Sequence, residues 1–146
     1  MKIYFHINTE TFANSYLIVN EASKEALIID PCKITNVILN QIESAPYELK
    51  AVLFTNTQVQ KTHALSTLLK IYRPTIYAAD FSVSQKRDML NGSGIIEECG
   101  FKIEYSSFQW HSFDAVIYRL SNLLLPVMFL APHSSAKQTA PTHSKI

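Results

Sequence analysis

The amino-acid sequence predicts one α/β domain, with strands at both ends and β-α-β units between them. At 146 residues and 47% hydrophobic, the chain is long enough for one domain with a core and short for two. Apolar runs of strand length alternate along it with segments of helical periodicity. Only three glycines occur and none forms a phosphate-binding loop, which disfavours nucleotide-binding folds. We expect residues 1–130 to form the domain and 131–146, which lack apolar periodicity, to be a disordered tail.

The first part of the chain predicts three strands and a helix. Apolar and polar residues alternate over 3–7, which is typical of a strand. The apolar runs 16–19 and 26–29 are separated by a short polar segment, as in an antiparallel hairpin with a five-residue loop. From Thr35, an acceptable N-cap, apolar residues recur at helical spacing until Pro46.

The middle of the chain predicts a buried strand that leads into a second helix. Residues 51–55 form a short unbroken apolar run, as in strands buried on both faces, and an amphipathic pattern then runs from Leu65 to Tyr72 before Pro74. The polar stretch 82–94 is interpreted as surface. The remaining expected strands are 75–78, 101–105, 115–120 and 123–130, with 106–114 as a loop.

Charge and cysteine usage exclude several classes of function. The 13 basic and 12 acidic side chains leave a formal charge of +1 without a basic stripe, so nucleic acid is not an expected partner. Cys32 and Cys99 lie far apart and read as free thiols, which indicates a reducing, cytoplasmic location. The most apolar segment, 123–132, contains Pro126 and is far shorter than the roughly 20 residues that span a bilayer. We therefore expect no membrane partner.

The order of these elements resembles a known family. The segments NSYLIV at 14–19, ALIIDP at 26–31 and KAVLFT at 50–55, the last followed by a loop and a helix, resemble the N-terminal part of the metallo-β-lactamase fold, nearest to its glyoxalase II-like hydrolases. The resemblance continues through 75–79, 101–105 and 116–120. It implies a partial αββα sandwich with mixed, largely antiparallel sheets, in a degenerate relative truncated at its C-terminal side.

The metal-ligand motif of that family is missing from this chain. In the family, the strand that ends in threonine is followed by His-x-His-x-Asp-His, which binds one or two metal ions, usually zinc. Counted from Thr55, the four ligand positions are held by Asn56, Gln58, Gln60 and Lys61. Amide oxygens are weak zinc ligands, and a lysine is protonated at neutral pH. The resemblance therefore implies a metal loop whose ligands have been replaced.

One further ligand position of the family is matched. His111 stands where the family places a histidine before a strand like VIYRL, whereas Ala131 and Pro132 replace the family's Gly-Asp pair. A catalytic zinc needs about three protein ligands, so one imidazole does not suffice. We expect no metal, no cofactor and no catalytic residue. The expected vestigial binding site comprises Asn56, Gln58, Gln60, Lys61 and His111.

Each candidate residue also has an ordinary structural interpretation. The loop with Gln58, Gln60 and Lys61 is an anion site or, by default, a solvated polar loop. His111 reads as a loop histidine, His63 as a surface helix residue and Cys32 as a small buried thiol. Asp30, which follows the strand 26–29, is expected to cap the next helix or to bond Asn56.

The leading functional hypothesis is a catalytically inactive binding or assembly module whose small-molecule ligand is unknown. The alternative is a metal-dependent thioester hydrolase with a rebuilt site, and a degenerate relative with no present activity is a third possibility. A rebuilt site would draw its ligands from His63, His111, His133 and Cys32. Because the second sheet is incomplete, we also expect a homodimer through the strands of 116–130.

Overall fold

The computed structural model describes residues 1–80, 82–83, 88–110 and 113–125. This part of the chain forms nine strands and three helices. In chain order they are β1 (Lys2–Ile7), β2 (Asn14–Asn20), β3 (Glu25–Ile29), α1 (Asn36–Glu43), β4 (Glu48–Leu53), α2 (Val59–Thr62), α3 (Leu65–Ile71), β5 (Thr75–Tyr77), β6 (Ser93–Glu98), β7 (Phe101–Trp110), β8 (Phe113–Leu120) and β9 (Leu123–Leu125).

The first sheet is mixed and has the order β1-β2-β3-β4-β5. Short loops join β1 to β2 and β2 to β3, and both pairs are antiparallel. Helical crossovers join β3 to β4 and β4 to β5, and both pairs are parallel, since parallel neighbours need a long connection. The carboxyl ends of β3, β4 and β5 therefore meet at one edge of the sheet, where α/β proteins place their sites.

Helices α1 and α3 cover one face of this sheet. As predicted, α1 begins after Thr35, whose side chain accepts the backbone N–H of Ile38. Ile38 and Ile42 on α1 and Leu68 on α3 are fully buried. They pack against side chains of β2, β3 and β4, including Leu17, Val19, Ala26, Ile28, Leu49 and Val52.

The second sheet is antiparallel, has the order β6-β7-β8-β9 and packs on the other face of the first. The core between the sheets includes Ile18, Leu27, Ile29, Leu53, Ile103, Val116, Tyr118 and Leu125. Two hydrogen bonds join the sheets near the end of β4. The Tyr118 hydroxyl donates to the Phe54 carbonyl at 2.9 Å, and the Val116 N–H donates to the Thr55 carbonyl at 2.7 Å.

The predicted α/β class, with mixed and antiparallel sheets, is confirmed. The described residues form helix, sheet and sheet layers, and none of them covers the outer face of the second sheet, where Ile95 and Leu124 are exposed. No helix in the described ranges has the length and apolar character needed to cross a membrane.

The second sheet differs from the sequence prediction in two respects. The expected loop at 106–114 is wrong, because β7 and β8 continue as one long hairpin with pairs from Ile103–Leu120 to Trp110–Phe113. Exposed polar residues such as Ser106 and Gln109 interrupt the apolar pattern and hid this strand. The strand β6 was missed within a polar, glycine-containing stretch. Of the predicted strand 123–130, β9 covers Leu123–Leu125; residues 126–130 and the predicted tail 131–146 lie outside the described residues.

Candidate functional site

Polar residues follow each of the three parallel strands at their shared carboxyl edge. Asp30 comes directly after β3, Thr55 and Asn56 follow β4, and Asp80 follows β5. The Thr57 hydroxyl donates to the Asp80 carboxylate at 3.1 Å, which ties the loop after β4 to the end of β5. This edge holds the candidate site.

A buried ion pair lies at the centre of this edge. The Lys61 ammonium donates to Asp30 Oδ2 at 2.7 Å and to the Thr55 hydroxyl at 2.5 Å. The Thr55 N–H donates to Asp30 Oδ1 at 2.8 Å, and the Thr55 hydroxyl donates to Oδ2 at 2.5 Å. The side chains of Lys61 and Asp30 are only 3% and 4% exposed. Both carboxylate oxygens are thereby satisfied from the loop after β4, so this pair fixes that loop on the sheet.

The backbone of Asp30 is held in an unusual conformation. Its φ of 50° lies in the left-handed region, which non-glycine residues seldom adopt. The Asp30 carbonyl accepts hydrogen bonds from the Ser15 hydroxyl at 2.5 Å and the Cys32 thiol at 3.1 Å. The Cys32 N–H in turn donates to Ser15 Oγ at 3.2 Å. Such strain persists only where surrounding contacts determine the geometry, and here they aim the Asp30 side chain at Lys61.

Burial and charge act on Asp30 in opposite directions. Desolvation raises the pKa of the Asp30 carboxyl above its ordinary value, while the Lys61 ammonium and the Thr55 donors lower it. A buried carboxylate without its partner would carry a large desolvation penalty. Asp30 therefore depends on Lys61 for its charged state.

This geometry corrects two sequence-based interpretations. Asp30 neither caps α1, which Thr35 caps, nor bonds Asn56; it binds Thr55 and Lys61 instead. The loop after β4 is not a solvated polar loop at Lys61, because its ammonium is buried and committed to Asp30. The anion-site interpretation also loses support, since the charge of Lys61 is already neutralised.

The amides of the loop occupy different positions. Asn56 is 2% exposed, its Oδ1 accepts the Gln58 N–H at 3.2 Å, and its Nδ2 is buried without a hydrogen-bond partner. Gln58 is half-buried and precedes α2 without capping it through its side chain. Gln60 lies within α2. An unpaired buried amide donor costs about 1–3 kcal/mol, so the Asn56 Nδ2 does not add to the stability of the fold.

An open cleft of about 420 Å³ lies beside this edge. Asp80 and Asp114 contribute carboxylates to its wall, and polar groups come from Asn91, Ser107 and Gln109. Hydrogen bonds, first from the Ser82 backbone N–H, lower the pKa of Asp80, so this carboxyl is ionised at neutral pH. Sequence reasoning missed Asp80, although its position after a third parallel strand was a usable signal.

The other predicted residues are placed as follows. Cys32 is a buried thiol, as expected, and burial raises its pKa. Burial likewise raises the pKa of Cys99 to about 12, so this thiol is neutral at neutral pH. His63 is exposed at the end of α2, as expected for a surface residue. His111 and His133 lie outside the described residues.

The sequence is similar to that of a protein from Treponema pallidum (strain Nichols). No protein-family model matches the chain. It is 28% identical, over 125 residues, to an uncharacterized protein of Treponema pallidum (strain Nichols), covering 84% of this chain and 70% of that protein.

The solved structures it resembles share one architecture. The ETHE1 crystal structure from Myxococcus xanthus superposes with a TM-score of 0.69 at 18% identity, over 82% of this chain and 54% of that one. The BLEG-1 B3 metallo-β-lactamase gives 0.67 at 14% identity, over 82% and 67%. A metallo-β-lactamase from Staphylococcus aureus subsp. aureus COL gives 0.65 at 16% identity, over 84% and 39%. The protein has the metallo-β-lactamase fold. It spans about half the length of the Myxococcus chain.

The described side chains at two of the family's ligand positions do not fit a metal ion. Lys61 brings a buried ammonium that is bound to Asp30, and Asn56 offers an amide whose oxygen already accepts the Gln58 N–H. The described part of the chain contains no cluster of three His, Cys, Asp or Glu side chains that could hold an ion. Zinc requires deprotonated nitrogen, sulfur or carboxylate ligands, which this donor set does not supply.

Proposed function

We propose that this protein is a catalytically inactive relative of the metallo-β-lactamase-fold hydrolases that acts as a binding module. The observation that carries the proposal is the Asp30–Lys61 ion pair. Its ammonium stands at the last position of the family's metal-ligand motif and supplies a fixed positive charge in a region that otherwise takes a metal ion. The loop is therefore held in place without a metal, and none of the described groups there acidifies a water into a nucleophile.

The cleft at the same edge offers a place for a small ligand. Its described wall includes the carboxylates of Asp80 and Asp114 together with amide and hydroxyl groups, and no described basic side chain lines it. Such a wall favours a neutral or cationic molecule that carries several hydrogen-bond donors. Cys32 and Cys99 are both unpaired thiols, which supports a reducing, cytoplasmic location.

The alternative is a hydrolase with a rebuilt site, of the glyoxalase II-like branch. Two of its candidate ligands lie in the described part of the chain, and neither favours it. The Cys32 thiol is buried and donates to the Asp30 carbonyl. His63 is exposed, and two residues along a helix from Lys61 correspond to a rotation of about 200°, which turns the two side chains away from each other. A thiol with a raised pKa is a poor metal ligand at neutral pH.

Hydrolysis assays separate the two functions. The purified chain, with zinc, manganese or iron(II) added in turn, should not cleave a hydroxyacylglutathione thioester or a chromogenic β-lactam above background. Saturable turnover that a chelator abolishes would establish the hydrolase instead.

Binding is tested by thermal unfolding against a collection of cationic and polyhydroxy small molecules. A ligand of the cleft should raise the unfolding temperature of the natural chain and not that of Asp114→Asn. The matched control is Glu104→Gln, an exposed carboxylate on the opposite face of the second sheet, which should respond like the natural chain. Equal responses of both variants would place the ligand elsewhere.

A further inference from the structure

The edge strand β1 exposes an apolar face along its whole length. Ile3, Phe5 and Ile7 are 36%, 56% and 53% exposed. Their partners on β2 are Ile18, Tyr16 and Asn14, and Ile18 and Tyr16 belong to the core between the sheets. The apolar side chains of β1 therefore extend the apolar face of the first sheet past the area that the described second sheet covers.

The same three residues also direct their backbone polar groups to the free edge. The Asn8 N–H donates to the Ala13 carbonyl at 2.9 Å, in register with the β1–β2 pairs. Hydrogen-bonded pairs alternate along an antiparallel ladder, so the even-numbered residues of β1 bond to β2. The N–H and C=O groups of Ile3, Phe5 and Ile7 therefore point away from β2, where no described strand pairs with them.

We propose that two copies of this chain pair along β1 in an antiparallel, two-fold arrangement. With Phe5 opposite Phe5 of the second copy, Ile3 lies opposite Ile7, and the outward-facing residues meet only one another. About six backbone hydrogen bonds then join the copies, and the two first sheets become one continuous sheet. The apolar side chains of both strands form a single stripe across the axis, because cross-strand neighbours on one face are in contact.

The charges near β1 do not oppose this arrangement. The strand contains one charged side chain, Lys2, and in the proposed register it lies opposite Asn8 of the second copy. The turn after Asn8 carries an exposed ion pair, Glu10 with Lys33, so each Lys2 approaches a neutral pair and not an unpaired like charge across the interface. The two lysines stay roughly 20 Å apart at about 3.3 Å per residue.

The other edge of the first sheet suits pairing less well, since Ala78, directly after β5, forms a bridge with Met89 there. The strand β5 has three residues, all half-buried, and offers few backbone groups. Natural proteins shorten or charge the edges that they keep free, and β1 is neither short nor strongly charged. The proposal is independent of whether the cleft binds a ligand.

Two other occupants are possible outcomes of the test. These are a second copy seated on the outer face of the second sheet, around Leu124, and the chain's own residues 126–146 placed over β1. The variant Phe5→Lys places like charges opposite each other on the proposed axis, as does Phe5→Glu. Since Phe5 is more than half exposed, both variants should keep the fold, which circular dichroism checks. Leu124→Lys is the matched control on an equally exposed apolar side chain.

Sedimentation equilibrium of the full chain decides among them. The natural chain and Leu124→Lys should sediment at micromolar concentrations with twice the chain mass of 16.5 kDa. Each Phe5 variant on its own should sediment with the mass of one chain, 16.5 kDa. An equimolar mixture of Phe5→Lys and Phe5→Glu should regain the dimer, because opposite charges then face each other. A natural chain that stays monomeric, a dimer that survives Phe5→Lys, or a mixture that stays monomeric would each overturn the proposal.

Discussion

Removing the ammonium of Lys61 should expose how far the fold depends on its buried ion pair. In Lys61→Met the aliphatic volume is kept, while the Asp30 carboxylate, which is almost fully buried, loses its charged partner. Breaking a buried pair on one side costs about 3–5 kcal/mol, which is a large part of the 5–15 kcal/mol that typically stabilises a domain. We expect the urea midpoint to fall accordingly, with the slope of the transition unchanged.

Two further variants identify the cause of that loss. Adding Asp30→Asn to Lys61→Met removes the unpaired charge, and asparagine tolerates the left-handed backbone at this position, so much of the lost stability should return. Lys33→Met breaks an exposed ion pair with Glu10 and should leave the midpoint nearly unchanged.

The pH dependence gives the sign of the effect. Without Lys61, the pKa of Asp30 in the folded state rises further above its unfolded value, because burial is no longer opposed. A raised folded pKa means that stability is lost as pH rises through that value and regained as pH falls. The difference in stability between the natural chain and Lys61→Met should therefore become smaller as the pH is lowered from neutral to about 5. Equal midpoints for Lys61→Met and Lys33→Met, or a difference that does not change with pH, would refute the reasoning.

Two other predictions follow from the same site and its surroundings. Restoring the family motif should create zinc affinity, seen as a zinc-dependent rise in unfolding temperature and as heat in titration calorimetry, while the natural chain shows neither; no gain would contradict the assigned loop geometry. The four changes are Asn56→His, Gln58→His, Gln60→Asp and Lys61→His. Neither Cys32 nor Cys99 should react with a thiol reagent at pH 8 until urea is added, since both are buried and burial raises both pKa values. Rapid labelling of the folded chain would argue against this packing. The stability that the neutral Cys99 thiol contributes should be present below pH 9 and be lost as the pH rises toward about 12.

Local patterns sufficed to predict the elements of the first sheet. Thr35 and Pro46 delimited α1 because capping and helix termination are properties of neighbouring residues. The hairpin of β2 and β3 followed in the same way from two apolar runs and a short polar loop. The long β7–β8 hairpin was not predicted, because its exposed polar residues read as a loop until the sheet is known.

The position of the loop after β4 was predicted, but the contacts of that loop were not. The order of strands placed Asn56 and Lys61 at the carboxyl end of β4, where the structure has them. That Lys61 reaches back to Asp30, 31 residues earlier, depends on the parallel pairing of β3 with β4, and no local signal reports it. A lysine in a polar loop is usually solvated, so its burial was the least predictable feature of the site.

The metal content of the protein tests the central claim most directly. The claim is that the Asp30–Lys61 pair replaces the metal centre of this fold. Elemental analysis of the chain, purified without chelator and then dialysed against zinc, manganese or iron(II), should give far less than one ion per chain for each metal. Close to one bound ion per chain, released by a chelator with loss of stability, would contradict the account.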